Sequence, residues 1–132
     1  DFKLPNLKEE QVALSDFLGK YVLLEFGASG CYPCRVENPN LLKAYQEYQK
    51  DGFEIFSVWL DRNAKSWTST VEKDQMIWTS VSDLKGNNGE VPTIYNVTSI
   101  PTNYLLNPKG EVIAMNLRGE ALQTKLAEVF GK

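Results

Sequence analysis

Two long apolar segments set the frame of the chain. Tyr21-Val-Leu-Leu-Glu-Phe26 is almost continuous in apolar residues, and Phe53-Glu-Ile-Phe-Ser-Val-Trp-Leu60 is interrupted only at Glu54 and Ser57. Runs this short and this apolar predict strands covered on both faces, and hence the centre of a sheet. Between them, Leu41, Leu42, Tyr45 and Tyr48 recur at helical spacing until Asp51-Gly52, where glycine is a natural helix terminator. Strand, helix and strand in that order make a βαβ unit. Pro39 falls inside the helix, where it is expected to remove one backbone hydrogen bond and kink the axis.

Weaker patterns fill the remainder. Trp67 and Val71 stand four apart in a polar stretch, which predicts a shorter second helix, and Gly86-Asn-Asn-Gly89 then interrupts any regular element. Thr102–Leu106 and Glu111–Met115 flank Asn107-Pro-Lys-Gly110, a turn that makes them an antiparallel hairpin and the whole sheet mixed. Leu122, Leu126, Val129 and Phe130 place an apolar stripe on a closing helix from about Glu120, expected to pack on the hairpin. At the front, Val12-Ala-Leu14 and Ser15–Lys20 predict a short strand and one helical turn added before the core. The expectation is an α/β fold with a mixed central sheet flanked by helices. Residues 1–132 form one domain in this reading, with 1–19 an N-terminal extension packed on it.

Composition narrows the chemistry. Fourteen Lys and Arg against 17 Asp and Glu, without a long run of either sign, offer no phosphate-binding stripe and argue against nucleic acid as a partner. No apolar run approaches the ~20 residues needed to cross a bilayer. The sequence opens at Asp1 without Met or an apolar leader, so a targeting segment is expected to have been removed or trimmed. With two cysteines and no histidine, His-dependent catalysis and His-ligated metals are excluded, and no cofactor is called for.

The two cysteines stand in Cys31-Tyr-Pro-Cys34, directly after the first central strand and the loop Gly27-Ala-Ser-Gly30, at the start of the first helix. Free backbone N–H groups and the positive end of the helix dipole stabilise a thiolate there, lowering a thiol pKa from ~8.5 to between roughly 3.5 and 7.5. Cys31 is thus the expected nucleophile. Cys34, one turn on and deeper, stays protonated until a mixed disulfide has to be resolved. Pro33 suits a first helical turn because its missing N–H costs no hydrogen bond, and Tyr32 is the variable member of the motif. Three other readings of the pair compete. A zinc site needs four ligands, and no further Cys or His exists. A structural staple closing so short a loop contributes only about 2 kcal/mol. Two unrelated buried thiols would require neither the proline nor the strand-loop-helix setting.

Phe26-Gly-Ala-Ser-Gly-Cys31-Tyr-Pro-Cys34-Arg-Val-Glu37 resembles the active-site segment of thioredoxin-like proteins, in particular the TlpA-like reductases. Ser99-Ile-Pro-Thr102 resembles the family's loop before the hairpin, and Asn107-Pro-Lys-Gly-Glu111 its hairpin turn, so the likeness runs from about Leu14 to Phe130. The resemblance implies a thioredoxin fold, a cis bond before Pro101, and a role for Ile100 and Pro101 in pairing with substrate main chain beside Cys31. It also places a buried acid at Glu25, able to relay protons to Cys34, and a second acid near the site at Glu37. The alternatives are a wet strand charge at Glu25 and a solvated helix charge at Glu37. The family's companion lysine is replaced by Ser57, and Gly27 and Gly30 stand where thioredoxins commonly carry tryptophans, which opens the rim. Trp59, Trp67 and Trp78 are assigned to the core or groove.

Together these residues predict a thiol-disulfide oxidoreductase, a monomer that reduces disulfide-bonded protein substrates and is recharged by a membrane or soluble thiol donor. Negative charge at Glu25 and Glu37 disfavours a thiolate and argues for the reducing direction. The resemblance implies a bacterial periplasm or cell envelope location with the leader removed. A peroxiredoxin-like peroxidase and a non-enzymatic binding module that uses the Pro101 groove are the alternatives.

Overall fold

The computed structural model describes residues 2–86, 91, 97 and 99–131. Strands β1 (Lys3–Pro5) and β2 (Gln11–Ala13) form an antiparallel hairpin, followed by a 3-10 turn at Leu14–Phe17. The core elements then run β3 (Tyr21–Gly27), α1 (Tyr32–Tyr48), β4 (Phe53–Trp59), α2 (Ala64–Lys73), β5 (Thr79–Val81), β6 (Thr102–Leu106), β7 (Val112–Met115) and α3 (Glu120–Phe130). They build a sheet of order β5-β4-β3-β6-β7, with β3, β4 and β5 parallel and β6 and β7 antiparallel to their neighbours. The mixed sheet, the βαβ unit and the hairpin stand where the apolar runs predict them.

Alternation along β3 and β4 divides the core in two. Leu23, Phe53, Ile55 and Trp59 face one way, against Leu41, Ala44 and Tyr48 of α1, Trp67 and Val71 of α2, and Leu122 and Leu126 of α3. Val22, Leu24, Phe26, Phe56 and Val58 face the other way, where Leu4 and the half-buried Phe2, Val12, Leu14 and Phe17 cover them. Glu25 follows the parity of Leu23 and therefore lies on the helix side of the sheet. The register sets Ser57 of β4 and Asn103 of β6 beside it, forming a polar row within an apolar layer.

The elements depart from the sequence reading in several places. The N-terminal strand ends at Ala13 rather than Leu14, since the Asp16 carboxylate accepts from Ala13 N at 3.0 Å and turns the chain into the 3-10 element. Strands β1 and β5 were not predicted: each has only three residues, and Pro5 or the polar Thr79-Ser80 breaks the apolar signal. Helix α1 runs through Pro39 as a single element to Tyr48, and a 3-10 turn at Gln49–Asp51 follows it and ends at Gly52 in the left-handed region at φ 100°. Of the Gly86–Gly89 segment, Asn87, Asn88 and Gly89 lie outside the described residues.

Candidate active site

Strand β3 delivers the chain to the site at Gly27, and residues just beyond β4 hold Gly27 and Ser29 of the loop that follows. Leu60 N donates to Gly27 O at 2.8 Å, and Cys31 N donates to Ala28 O at 3.2 Å. Buried Asp61, the second residue beyond β4, accepts from Ser29 N at 2.9 Å with one oxygen and from Ser29 Oγ with the other. Cys31 is thereby placed as the N-cap of α1, where its Sγ accepts from Cys34 N at 3.2 Å. A backbone donor at the helix mouth thus points at this sulfur. The two cysteines are joined by a disulfide, with their Cα atoms 5.2 Å apart. Cys31 is half-buried and Cys34 is buried, while Tyr32, 79% exposed, and Pro33 project from the surface beside them.

The two acids and the proline loop are linked to one another through Arg118 and Gly119. Burial, reinforced by the charge of Glu37 and partly offset by Arg118, pushes the Glu25 carboxyl up to about 8. Ser57, facing Glu25 in the register, accepts from Trp78 Nε1 at 2.8 Å. The cation that balances Glu25 comes instead from Arg118, far along the chain. Glu37 is half-buried rather than solvated: its Oε2 accepts from Gly119 N at 3.0 Å and from Asn40 Nδ2 at 2.7 Å, tying α1 to the start of α3. The Ile100–Pro101 peptide is cis. Pro101 is buried, its carbonyl accepts from the Arg118 guanidinium, and Ile100 packs on the second core cluster. Asn103 completes the strap, donating to Leu117 O at 2.8 Å and accepting from Leu117 N at 2.9 Å.

One further clamp holds the first turns of α1. Arg35 makes a two-pronged ion pair with Asp74 at the end of α2, at 3.1 and 3.0 Å, and Asn38 donates to the same carboxylate at 2.8 Å. The hydrogen bond from Arg35 holds Asp74 below the usual carboxylate range. A Cβ built on Gly27 would touch Cys34 Sγ at 3.5 Å, whereas one on Gly30 meets nothing within 4 Å, so the rim is open on the Gly30 side. The three tryptophans are buried in the helix-side core cluster. Among the described residues, no group of three or more His, Cys, Asp or Glu could hold a metal ion.

Sequence reasoning missed Asp61, Arg118, Asn103 and Asp74. Asp61 carried a signal, since a carboxylate that closes a buried parallel strand sits at the carboxyl edge of the sheet, where α/β sites form. Arg118, Asn103 and Asp74 act through partners 17, 14 and 39 residues away, and no local pattern encodes those pairings.

Comparison with known proteins points the same way. The AhpC/TSA family matches residues 1–115. Thiol-disulfide oxidoreductase ResA of Oceanobacillus iheyensis is 35% identical over 116 residues, 85% of this chain and 59% of the relative. ResA of Bacillus thuringiensis is 30% identical over all 132 residues, which span 74% of it. A solved thiol-disulfide oxidoreductase from Bacteroides fragilis superposes with a TM-score of 0.90 at 36% identity, covering 97% of this chain and 96% of the other. The thioredoxin domain of a thiol-disulfide oxidoreductase from Bacteroides vulgatus gives 0.92 at 35% identity, covering 98% and 92%.

Proposed function

Because the chain belongs to the AhpC/TSA family and resembles thioredoxin-fold thiol-disulfide oxidoreductases over nearly its whole length, we propose that it reduces protein disulfides with Cys31 as nucleophile and Cys34 as resolving thiol. The observation that carries this reading is the position of Cys31 Sγ at the mouth of α1, accepting a backbone N–H, with Cys34 buried just behind it. The Cys31 thiolate attacks one sulfur of a substrate disulfide and bonds to it, and the second substrate sulfur leaves as a thiolate that takes up a proton. Cys34 then loses its proton and attacks Cys31 Sγ. The remaining substrate sulfur departs reduced, and Cys31–Cys34 carries the disulfide and the oxidising equivalent. A thiol donor restores the dithiol by the same exchange in reverse.

Glu25 supports the proton steps. With its carboxyl raised to about 8, Glu25 holds a proton at neutral pH and can exchange it as Cys34 resolves the mixed disulfide. Glu37 raises that value and anchors the strap that holds the Pro101 loop. The main chain of Ile100, turned by the cis bond to buried Pro101, forms with Tyr32 and Pro33 the surface against which substrate main chain is read. The charge of Glu37, beside a Glu25 that keeps its proton, disfavours a persistent thiolate and favours the reducing direction. The resemblance to TlpA-like and ResA proteins supports an extracytoplasmic setting in the bacterial envelope. Among the described residues, no helix is long and apolar enough to cross a membrane.

Insulin reduction by the dithiol-recharged protein tests this reading. Turnover that is abolished by Cys31→Ser supports it, and turnover that survives the substitution contradicts it. Hydrogen peroxide consumed faster than insulin disulfides would favour the peroxidase alternative.

A further inference from the structure

Resting on the disulfide-reductase reading, we infer that the cleft between the loop before Cys31 and helix α2 receives a carboxylate-bearing segment of the substrate polypeptide, beside its disulfide. The cleft holds about 520 Å³ and is lined by Ser29, Gly30 and Arg35 on the redox side and by Asn63, Lys65, Ser66, Ser69, Thr70 and Lys73 of the facing wall. Gly30 directly precedes Cys31 in the chain, so the cleft opens one residue away from the nucleophile. The lining is rich in donors and includes three cations and no carboxylate, although the chain as a whole carries a net charge of -3. A general excess of basic residues therefore cannot explain this patch.

The free charge comes from two lysines. Arg35 is already matched by Asp74, and Asp61 is held by Ser29. Lys65 and Lys73 are exposed and, among the described residues, neither forms an ion pair, although the charge of Lys73 bears on Asp74. They stand near opposite ends of α2, eight residues apart, which corresponds to ~12 Å along the helix axis. An extended peptide covers that distance in three to four residues at ~3.3 Å each. Ser66, Ser69, Thr70 and Lys73 follow the i, i+3, i+4, i+7 pattern, so one helix face presents hydroxyls between the two amines. The fitting occupant is an extended strand with two acidic residues three or four positions apart, near the substrate cysteine. A small free anion would use one lysine and leave the other idle.

The test compares disulfide-bonded peptides that differ only in that flank, carrying Glu at both positions in one and Gln in the other, as substrates of the dithiol-recharged protein. The expected result is a kcat/KM about tenfold higher for the Glu peptide at low salt, within the range of electrostatic steering. The preference should fall towards unity at 1 M salt, where the Debye length is ~3 Å. In Lys65→Gln/Lys73→Gln the ratio should drop to near one, whereas Lys50→Gln/Lys109→Gln, with the same change in net charge, should retain it. Equal turnover of both peptides by the wild-type protein overturns the inference, as does a preference that survives in Lys65→Gln/Lys73→Gln. An equal loss in both double variants also overturns it, because net charge would then be the cause. Turnover of neither peptide is a different failure: it removes the reductase reading itself, and the inference with it.

Discussion

Glu25 is held in a strand whose other side chains are apolar, on the side of the sheet that carries the helices, with its carboxyl pushed up to about 8. Its effect on stability has a definite sign. The unfolded chain releases this proton near 4.5 and the folded chain keeps it until about 8. The contribution of Glu25 is therefore fully present below pH 4.5 and is lost as pH rises through this window, approaching ~1.4 kcal/mol per pH unit. Glu25→Gln removes the proton exchange, so its melting temperature should gain on the wild-type protein between pH 5 and pH 8; parallel curves would contradict the assignment. At this scale the sequence was largely legible. The cysteines, the proline between them and an acid interrupting an apolar run can all be read from spacing. The counter-charge could not be, because Arg118 reaches the site from a segment with no motif of its own.

Helix α1 is the element on which the chemistry depends, and three ties fix its first turns. Asp61 sets the loop before it, Arg35 and Asn38 hold it to the end of α2 through Asp74, and Glu37 holds it to α3 through Gly119. Asp74→Ala should cost about 1–2 kcal/mol at pH 7, measured by urea unfolding, because it strips a charge-assisted pair and leaves Asn38 without its acceptor. Since Asp74 lies below the usual carboxylate range, its contribution is present at neutral pH and lost as pH falls through its folded value, so the deficit of the variant should shrink in acid. A deficit that does not change down to pH 3 would place the cost in packing rather than charge. Helical periodicity located α1, α2 and α3, whereas the three-residue strands β1 and β5 were too short to produce a pattern. Pairing with longer neighbours defines them, and pairing is a tertiary event.

In the whole molecule, the N-terminal segment works as the second wall of the core. The rings of Phe2 and Phe17 meet Phe56 edge-on at 5.7 and 5.4 Å, and Pro5 O accepts from Ser82 N at 3.1 Å next to β5. We propose on this basis that residues 1–19 fold as part of a single domain. Phe17→Ala should lower stability by about 2–3 kcal/mol, somewhat less than for a fully buried ring, and shift the urea midpoint without changing its slope. A changed slope would mean that the extension unfolds separately. The βαβ order and the hairpin made the overall architecture predictable from sequence, but not the way the strap 116–119 closes over β6 and joins Pro101, Asn103 and Glu37. The central claim is that one sulfur attacks and the other resolves, and covalent trapping tests it most directly. The reduced Cys34→Ser protein should accumulate a mixed disulfide with a disulfide-bonded peptide, mapped by mass spectrometry to Cys31, and Cys31→Ser should accumulate none. An adduct on Cys34, or equal trapping by both variants, would contradict the account.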